Sequence, residues 1–312
     1  MTGTSFESLD DVQTAILSEL MANGAEVAPR GVHTLESRFV SFTLTSPRRR
    51  CILNPPRRWS FPLALGELCW HLSASTEAAA LAYYAPIWSS IADDDGQIRG
   101  SCYGSKIFSN GQGTSPWLKL KELLRIDPAS RRAVLHFNDL VSHLNPVCRD
   151  AACALSLQFL IRDGSLDAIV YMRSNDVIWG LPYDVFLFTF LQELLAAELN
   201  IGLGSYHHIA ASMHIYSRHL PLAKKILAWP GTSSFEMPAL FSAESVTSLP
   251  RFEKAARTGA SPLMPCLDTY CEGLVAVLRA YRASRDVGWA ASLDKLPIDF
   301  PYRSVLEPLS EP

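Results

Sequence analysis

The chain has 312 residues, with 48% hydrophobic and 19% charged side chains, a formal net charge of −3 and an isoelectric point near 6.2. These values are typical of a folded globular protein and exclude an intrinsically disordered one. They also exclude the broad basic surface that attracts duplex nucleic acid, so any anion has to be bound locally by a few arginines. Nucleic acid is therefore not an expected partner.

The apolar segments predict neither a secretory signal nor a membrane span. The first amphipathic segment carries acidic residues and is not a basic stretch followed by an apolar core. The longest apolar run, residues 185–199, is interrupted by Glu193 and Glu198 and is short for a helix that crosses a bilayer. We therefore expect a cytoplasmic protein that does not associate with a membrane.

Hydrophobic periodicity predicts mixed helices and strands in the first half of the chain. It predicts a helix over residues 8–23, a strand over 37–44, and two helices over 62–75 and 75–88 that divide around Ser73–Thr76. Ser75 or Thr76 is the expected N-cap of the second of these helices. A polar, glycine-rich loop over 100–114 then precedes a helix near 116–125 and a strand over 131–137.

A β-hairpin is the clearest element of the second half. Residues 152–174 form two β-rich runs joined at Arg162–Ser165, where Asp163-Gly164 is a strong turn signal. A buried helix is predicted over 184–199, and residues 208–220 are predicted as a strand that leads into a short helix. Because the elements mix without a regular βαβ repeat or a dividing linker, we predict a single α+β domain over residues 1–312, built on a large sheet.

The seven cysteines, at positions 51, 69, 102, 148, 153, 266 and 271, have neither metal-knuckle spacing nor the density of a disulfide framework. They are expected to be free thiols. Cys148 and Cys153 can be ordinary buried thiols, or one can be a nucleophile if an arginine nearby lowers its pKa. His207, His208 and His214 have no carboxylate or cysteine that completes a recognisable ligand set, so no metal is expected.

Arg131 and Arg132 lie together at the start of a predicted strand. Adjacent strand residues point to opposite faces, so one of the two can reach out of its own domain toward a partner. A solvated basic pair is equally consistent with the sequence.

The segment YMRSNDVIWGLPYDVF at 171–186, with MHIYSRHL at 213–220, resembles the thymidylate synthase superfamily. The hallmark of that superfamily is R-S-x-D-x-x-x-G-x-P-[FY]-[ND] with a later H-I-Y. Its nucleophile precedes a Gln-Phe pair by five residues, which selects Cys153 over Cys148 because Gln158 and Phe159 follow at that spacing. Further segments match in family order: APRGVHT at Arg30, LGELCWHL at Glu67, PIWSS at Trp88, CYGSKIF at Tyr103 and DPASRRAV at Arg131 and Arg132. The resemblance covers about residues 28–220, whereas 221–312 diverge.

The departure with the largest consequence is Asp184, which stands where the uridylate enzymes of the family have asparagine. An asparagine amide can donate to O4 of uracil and accept from N3–H. A carboxylate instead accepts from the N4 amino group of cytosine, and with a shared proton it satisfies N3 as well. Within the family this exchange marks cytidylate hydroxymethylases. An acid that caps the following helix is the structural alternative.

The resemblance implies a thymidylate-synthase-like fold, with a large mixed sheet at a homodimer interface flanked by helices. It implies a hydroxymethyltransferase that converts CMP or dCMP with 5,10-methylenetetrahydrofolate and water through a Cys153–C6 adduct. The site residues that it implies are, for catalysis, Cys153, Glu67, Asp184 and Tyr103; for phosphate, Arg30, Arg173, Ser174 and, reaching a second subunit, Arg131 and Arg132; for the base, Asp184 and Gln158; for the sugar, His214 and Tyr216; and for folate, Trp88, Asp176 and Gly180. A uridylate C5 methylase and a catalytically silent nucleotide-binding homologue are the alternatives; Ala154 and Met172, which replace the family's usual residues, favour the second.

Overall fold

The computed structural model describes residues 2–109, 115–138, 144–145, 147–231, 235–240, 242–260 and 268–310. Its centre is an eight-stranded mixed sheet, as expected for the α+β class. The strands are β1 (Thr4–Phe6), β2 (Ala25–Val27), β3 (Thr34–Leu44), β4 (Val134–His136), β5 (Ala154–Arg162), β6 (Ser165–Met172), β7 (Asn175–Asp176) and β8 (Gly202–Tyr216). They are ordered β1-β3-β8-β6-β5-β4, with β2 paired to β3 and β7 paired to β8.

The helices pack against this sheet and contribute to the same hydrophobic core. They are α1 (Leu9–Asn23), α2 (Phe61–Leu72), α3 (Ala78–Ala82), α4 (Ile87–Ile91), α5 (Tyr103–Phe108), α6 (Pro116–Ile126), α7 (Gly180–Leu199), α8 (Leu220–Ala228), α9 (Ala243–Thr258), α10 (Thr269–Val287), α11 (Trp289–Leu293) and α12 (Arg303–Leu306). Buried and half-buried residues alternate along β6 and β8, so one face of the sheet packs against α7 while the opposite face stays half-exposed.

The hairpin of β5 and β6 confirms the predicted turn. Asp163 and Gly164 both have positive φ angles, 49° and 74°, as a two-residue type I′ turn requires. The turn fixes the register of the two strands, with Arg162 opposite Ser165 and Ala154 opposite Met172. The residues just before β5 and just after β6 therefore meet at the same end of the hairpin.

Helix α7 is buried on nearly all sides, which explains its continuous apolar run. Glu193, which interrupts the run, forms an ion pair with the fully buried Arg50 and accepts a hydrogen bond from the backbone N–H of Leu240. A buried acid is tolerated there because it is paired and hydrogen-bonded. Among the residues that the structure describes, no helix has both the length and the apolar composition needed to cross a membrane.

Several sequence-based boundaries are wrong in detail. The predicted helix over 75–88 is divided into α3 and α4. Helix α3 begins at Ala78 with Glu77 at its N-cap position, so neither Ser75 nor Thr76 is the N-cap. Pro86, which has no backbone N–H to donate, comes just before α4 and prevents one continuous helix. Strand β4 is shorter than the predicted 131–137.

The predicted loop over 100–114 contains helix α5, and α7 begins at Gly180 rather than at residue 184. The glycine of α5, Gly104, is required for packing and not for a loop, because a Cβ atom there would lie 1.9 Å from the carbonyl oxygen of His71 on α2. Asp184 lies inside α7 and does not cap it.

The C-terminal helices join the same core. Helices α9 and α10 pack against each other and against α2. Just before α12, the ring of Tyr302 packs on Phe61 with 5.3 Å between centroids, and the Nη2 atom of Arg58 donates to the carbonyl of Leu309.

Candidate active site

Two adjoining cavities open at the end of the sheet where β5 begins and β6 ends. One has a volume of about 670 Å³ and the other of about 860 Å³, and they share Ile91, Trp179 and Tyr216 as walls. Glu67, Trp88 and Asp176 line the first; Arg30, Cys153, Arg173, Ser174, Gly180 and His214 line the second. We call the two cavities together the cleft. It brings together most of the residues that the resemblance selected.

Cys153 and Arg173 are held together by the hairpin. Cys153 directly precedes β5 and Arg173 directly follows β6, and the backbone N–H of Arg173 donates to the carbonyl of Cys153 at 2.9 Å. The guanidinium also donates to the carbonyls of Ala152 and Ala151, at 2.9 and 3.0 Å. Its Nη2 atom lies 3.9 Å from Sγ of Cys153. Arg173 therefore shapes the loop that carries the thiol.

The pKa of the Cys153 thiol is raised to about 11, mainly by burial. The positive charge of Arg173 lowers this pKa, as the sequence suggested, but the carboxylates of Asp184, Asp150 and Asp176 raise it. In the free protein, burial therefore outweighs the lowering of the pKa by Arg173.

Three acids in and next to the cleft have raised pKa values, and burial is the main cause of the shift in each. It raises the pKa of Glu67 to about 8, with a further increase from Asp184 and a decrease from the hydrogen bond with Trp88. It raises the pKa of Asp184 to about 7, against a lowering by the hydrogen bond from Asn175. The pKa of Asp176 is also raised, although Oδ1 of Asp176 accepts the backbone N–H of Ile178 at 2.9 Å. At neutral pH this group of acids therefore holds protons as well as charge.

Tyr103 on α5 contacts the backbone next to Cys153. Its hydroxyl accepts the backbone N–H of Ala154 at 3.2 Å, and its ring stacks on His71 with 5.5 Å between centroids. The Nδ1 atom of His71 in turn accepts the backbone N–H of Gly104. Burial keeps the pKa of Tyr103 well above its ordinary value.

Arg30, His214 and Tyr216 reach the cleft from the β2–β3 loop and the end of β8. Arg30 is exposed in the loop between β2 and β3, where it adopts a left-handed conformation with a φ angle of 53°. His214 and Tyr216 lie at the end of β8, and their rings meet edge to face at 5.2 Å. Strand β7 pairs in parallel with this end of β8, which places Asp176 opposite His214.

Gln158, Arg131 and Arg132 lie elsewhere. Gln158 is within β5, and its Nε2 atom donates to the carbonyl of Arg131 at 2.8 Å, so its side chain is committed to the backbone beside β4. The structure thus gives no support to the base-binding role expected for Gln158. Arg131 and Arg132 are exposed and line neither cavity of the cleft in their own chain.

Sequence reasoning missed the roles of two residues of the cleft, Asp150 and Trp179, and of Asn175 beside it. Asn175 is 3% exposed and donates to Asp184. Asp150 accepts the backbone N–H groups of Gly100 and Ser101 and so ties that loop to the segment before Cys153. Trp179 is 49% exposed on the cleft wall. Asn175 could have been noticed as a polar residue between buried positions of the motif, since buried amides need partners.

Among the described residues, Cys51, Cys69, Cys102, Cys148 and Cys153 are free thiols as predicted, whereas Cys266 lies outside the described residues. Cys148 lines the cleft together with Cys153. In the described ranges, no three His, Cys, Asp or Glu side chains are grouped so that they could hold a metal ion.

A sequence model of the thymidylate synthase family matches residues 13–254 of the chain. The chain belongs to the thymidylate synthase family. This family match ends at residue 254, within the segment predicted to diverge from the family. The chain is also 30% identical over 212 residues to a protein named deoxyuridylate hydroxymethyltransferase from Bacillus phage SP01. That alignment covers 64% of this chain and 55% of the relative, so the chain spans about half the length of this thymidylate synthase relative.

Proposed function

We propose that this thymidylate synthase family member is a folate-dependent hydroxymethyltransferase that acts on C5 of a cytidine monophosphate, either CMP or dCMP. The observation that carries the proposal is the half-buried carboxylate of Asp184. It is not among the residues that line the two cavities, but it lies next to Gly180, which lines the second, and close enough to Glu67 and Cys153 to raise the pKa of both. The name of the phage relative supports transfer of a hydroxymethyl group, and Asp184 supports cytosine as the base.

Cys153 is the proposed nucleophile. A bond from Sγ to C6 of the pyrimidine shifts the C5–C6 π electrons toward C5, which then becomes nucleophilic. When bound, 5,10-methylenetetrahydrofolate would supply the one-carbon unit, and water would supply the hydroxyl oxygen. Loss of the C5 proton and departure of tetrahydrofolate would leave an exocyclic methylene group on C5. Addition of water to that carbon and departure of the Cys153 thiolate from C6 would then restore the aromatic ring.

Glu67 and Asp184 are the proposed proton-carrying groups. Because burial raises the pKa of Glu67 to about 8, this carboxyl holds a proton at neutral pH that it can exchange with water or with the base. Asp184, with a pKa of about 7, can share a proton with N3 of cytosine and accept from the N4 amino group. Tyr103 keeps the backbone of Ala154 in place, one residue after the nucleophile.

The first cavity fits the folate. Trp88 and Trp179 supply aromatic walls for a flat ring system, and Asp176 is a carboxylate that can accept from ring N–H groups. Arg58 and Arg218 line the same cavity and can attract the carboxylates at the other end of a folate. Gly180 lines the second cavity, which we assign to the nucleotide and call the nucleotide cavity.

Arg30, Arg173 and Ser174 are proposed to bind the 5′-phosphate, and His214 and Tyr216 the sugar. All five line the nucleotide cavity. Arginine forms charge-assisted, bidentate hydrogen bonds with phosphate, which suits a site on a protein with no overall positive charge.

We further propose a homodimer in which Arg131 and Arg132 complete the phosphate site of a second subunit. Both are exposed beside β4 at the edge of the sheet and lie away from the cleft of their own chain. The half-exposed face of the sheet includes Tyr171, which is 39% exposed, and is the surface we assign to the contact between subunits.

A specific observation also favours a second substrate, because the phage relative is named for deoxyuridylate. The two candidates are separated by incubating the protein with methylenetetrahydrofolate and, in separate reactions, CMP, dCMP, UMP and dUMP, and then weighing each nucleotide product. A hydroxymethyl gain on a cytidine nucleotide alone supports the proposal and identifies the sugar. A hydroxymethyl gain on a uridine nucleotide would move the assignment to the relative's substrate.

Two other outcomes would overturn the proposed activity. A methyl gain on dUMP would identify a thymidylate synthase in the strict sense. No product with any nucleotide, in a protein that still binds one of them, would identify a catalytically silent homologue.

A further inference from the structure

The Nδ2 atom of Asn175 donates a hydrogen bond to Oδ2 of Asp184 at 2.8 Å. Asn175 is 3% exposed, and its own Oδ1 atom is buried without a hydrogen-bond partner. Burying an amide oxygen without a hydrogen-bond donor costs free energy. The hydrogen bond that Asn175 does make is the one donated by its Nδ2 atom. The donor points at the carboxylate proposed to read the base.

Two local features hold Asn175 in this position. Strand β7 pairs with β8 in parallel, with Asn175 opposite Met213, and α7 begins at Gly180. A Cβ atom at position 180 would lie 2.9 Å from Nδ2 of Asn175 and 3.4 Å from Oδ2 of Asp184. Glycine at this position therefore leaves room for the hydrogen bond between them.

An amide N–H requires an acceptor, so it favours the state of Asp184 in which Oδ2 carries no proton. When Asp184 is protonated, its proton then lies on Oδ1. The two oxygens are no longer equivalent: Oδ1 can donate, whereas Oδ2 can only accept.

We propose that Asn175 is a positioning residue that fixes the proton of Asp184 on Oδ1 and thereby favours cytosine over uracil. This inference rests on the proposed function, in which the carboxyl of Asp184 faces N3 and the group at C4, and it adds that Oδ2 is the oxygen that faces C4. Cytosine then matches fully, since Oδ1–H donates to N3 and Oδ2 accepts from N4–H. Uracil requires the reverse arrangement, because its N3–H donates and its O4 accepts.

Other titratable groups face Asp184 from the surrounding elements. They are Glu67 on α2, Tyr103 on α5, Cys153 before β5, Asp176 on β7 and Tyr206 on β8. Asp176 raises the pKa of Asp184, whereas the hydrogen bond from Asn175 lowers it. Removing the Asn175 donor should therefore raise the pKa of Asp184 and leave its proton free to occupy either oxygen.

The test compares Asn175→Leu, a near-isosteric change that removes the donor, with Asn54→Leu. Asn54 is a matched control: it is 5% exposed, its Nδ2 atom donates to the carbonyl of Ile226, and its Oδ1 atom also has no partner. Dissociation constants for CMP, dCMP, UMP and dUMP are measured by calorimetry without folate, from acidic to alkaline pH, so that no turnover is needed.

We expect Asn175→Leu to lower the preference for cytosine over uracil by about tenfold, since one mismatched hydrogen bond separates the two bases. In the wild type, affinity for the cytidine nucleotide should fall as pH rises through the pKa of Asp184, near 7. In Asn175→Leu this fall should move to higher pH. Asn54→Leu should change neither the preference nor the position of the fall.

A second variant, Asn175→Asp, keeps the side-chain shape if Asn175→Leu folds poorly. An ionised carboxylate at position 175 accepts instead of donating, so the cytosine preference should be lost here too. A purely structural role would weaken all four nucleotides equally and leave the pH dependence in place, which would overturn the inference while the proposed function stands. A wild-type preference for a uridine nucleotide would overturn both.

Discussion

The Nη2 atom of Arg173 lies 3.9 Å from Sγ of Cys153, yet burial raises the pKa of this thiol to about 11. The same guanidinium is bound to the carbonyls of Ala151 and Ala152, so it combines a structural and an electrostatic role. The thiol of the free protein is therefore protonated at neutral pH, and its small thiolate fraction depends on Arg173.

Replacing Arg173 by methionine should slow alkylation of Cys153. Loss of the positive charge removes the interaction that lowers the pKa of the Cys153 thiol. If this pKa rises by a further one pH unit, the thiolate fraction falls about tenfold. Iodoacetamide labelling followed by peptide mass analysis gives the rate at Cys153 separately from Cys148. Arg149→Met, at another arginine that lines the same cavity, is the control and should leave the rate unchanged. Equal rates in the two variants would show that Arg173 does not affect the thiol.

Cys153→Ala should abolish turnover and keep nucleotide affinity within a few-fold, because the covalent step is lost while the arginines that bind phosphate remain. Product mass and calorimetric binding measure the two effects separately. Cys148→Ala is a close control, since both cysteines line the same cavity. Turnover by Cys153→Ala at the wild-type rate would exclude the covalent mechanism.

Asp184→Asn should move the ionisation of Glu67 to lower pH. The charge of Asp184 raises the pKa of Glu67, so a neutral amide at this position should bring that pKa down from about 8. The measurement is the pH dependence of kcat/KM with whichever nucleotide the variant accepts. The limb near pH 8 should shift toward neutrality in Asp184→Asn and disappear in Glu67→Gln. A limb that stays in place in both variants would assign it to another group.

The sequence predicted the parts of the fold that depend on local signals. Asp163-Gly164 adopts the positive φ angles that its turn type requires, so the hairpin could be placed from those two residues alone. The sequence does not predict helix α5, because a glycine such as Gly104 favours a loop in the local pattern. The reason for this glycine is its close contact with the backbone of His71 on a different helix. The start of α7 was missed since its first turn contains Pro182, which a helix tolerates only near its N-terminus.

Motif spacing selected Cys153 and Arg173 as site residues, and the hairpin brings them together because they lie at the ends of its two strands. Motif spacing could not show the direction of a side chain. Gln158 points to the backbone of Arg131, and Asn175 points to Asp184, as a result of strand pairings that no local pattern of residues reveals.

Subunits with complementary defects should restore each other if the proposed dimer shares its sites. A chain with Arg131→Ala and Arg132→Ala keeps its own thiol, and a Cys153→Ala chain keeps the two arginines. Mixed after dissociation and reassembly, the two inactive proteins should recover up to about a quarter of wild-type activity per site, as random pairing of subunits allows. Each protein refolded alone is the control. No recovery in mixtures that demonstrably contain mixed dimers would place the arginines outside the partner site.

Gly180→Ala should reproduce the loss of base preference expected for Asn175→Leu. The added Cβ atom, 2.9 Å from Nδ2 of Asn175 and 3.4 Å from Oδ2 of Asp184, has to displace one of them, and their hydrogen bond lengthens or breaks. Thermal stability should fall little, because alanine is a better helix former than glycine and offsets part of the strain. Relative affinities for CMP and UMP, measured beside the melting temperature, report the two effects.

Gly202→Ala is the matched control for this change. Its Cβ atom would lie 2.7 Å from Oγ of Ser165, a comparably close polar contact at the turn end of the hairpin, and Gly202 lines neither cavity of the cleft. It should leave the base preference intact whatever it does to stability. If Gly180→Ala behaves in the same way, the hydrogen bond between Asn175 and Asp184 tolerates the crowding, and position 180 has no part in choosing the base.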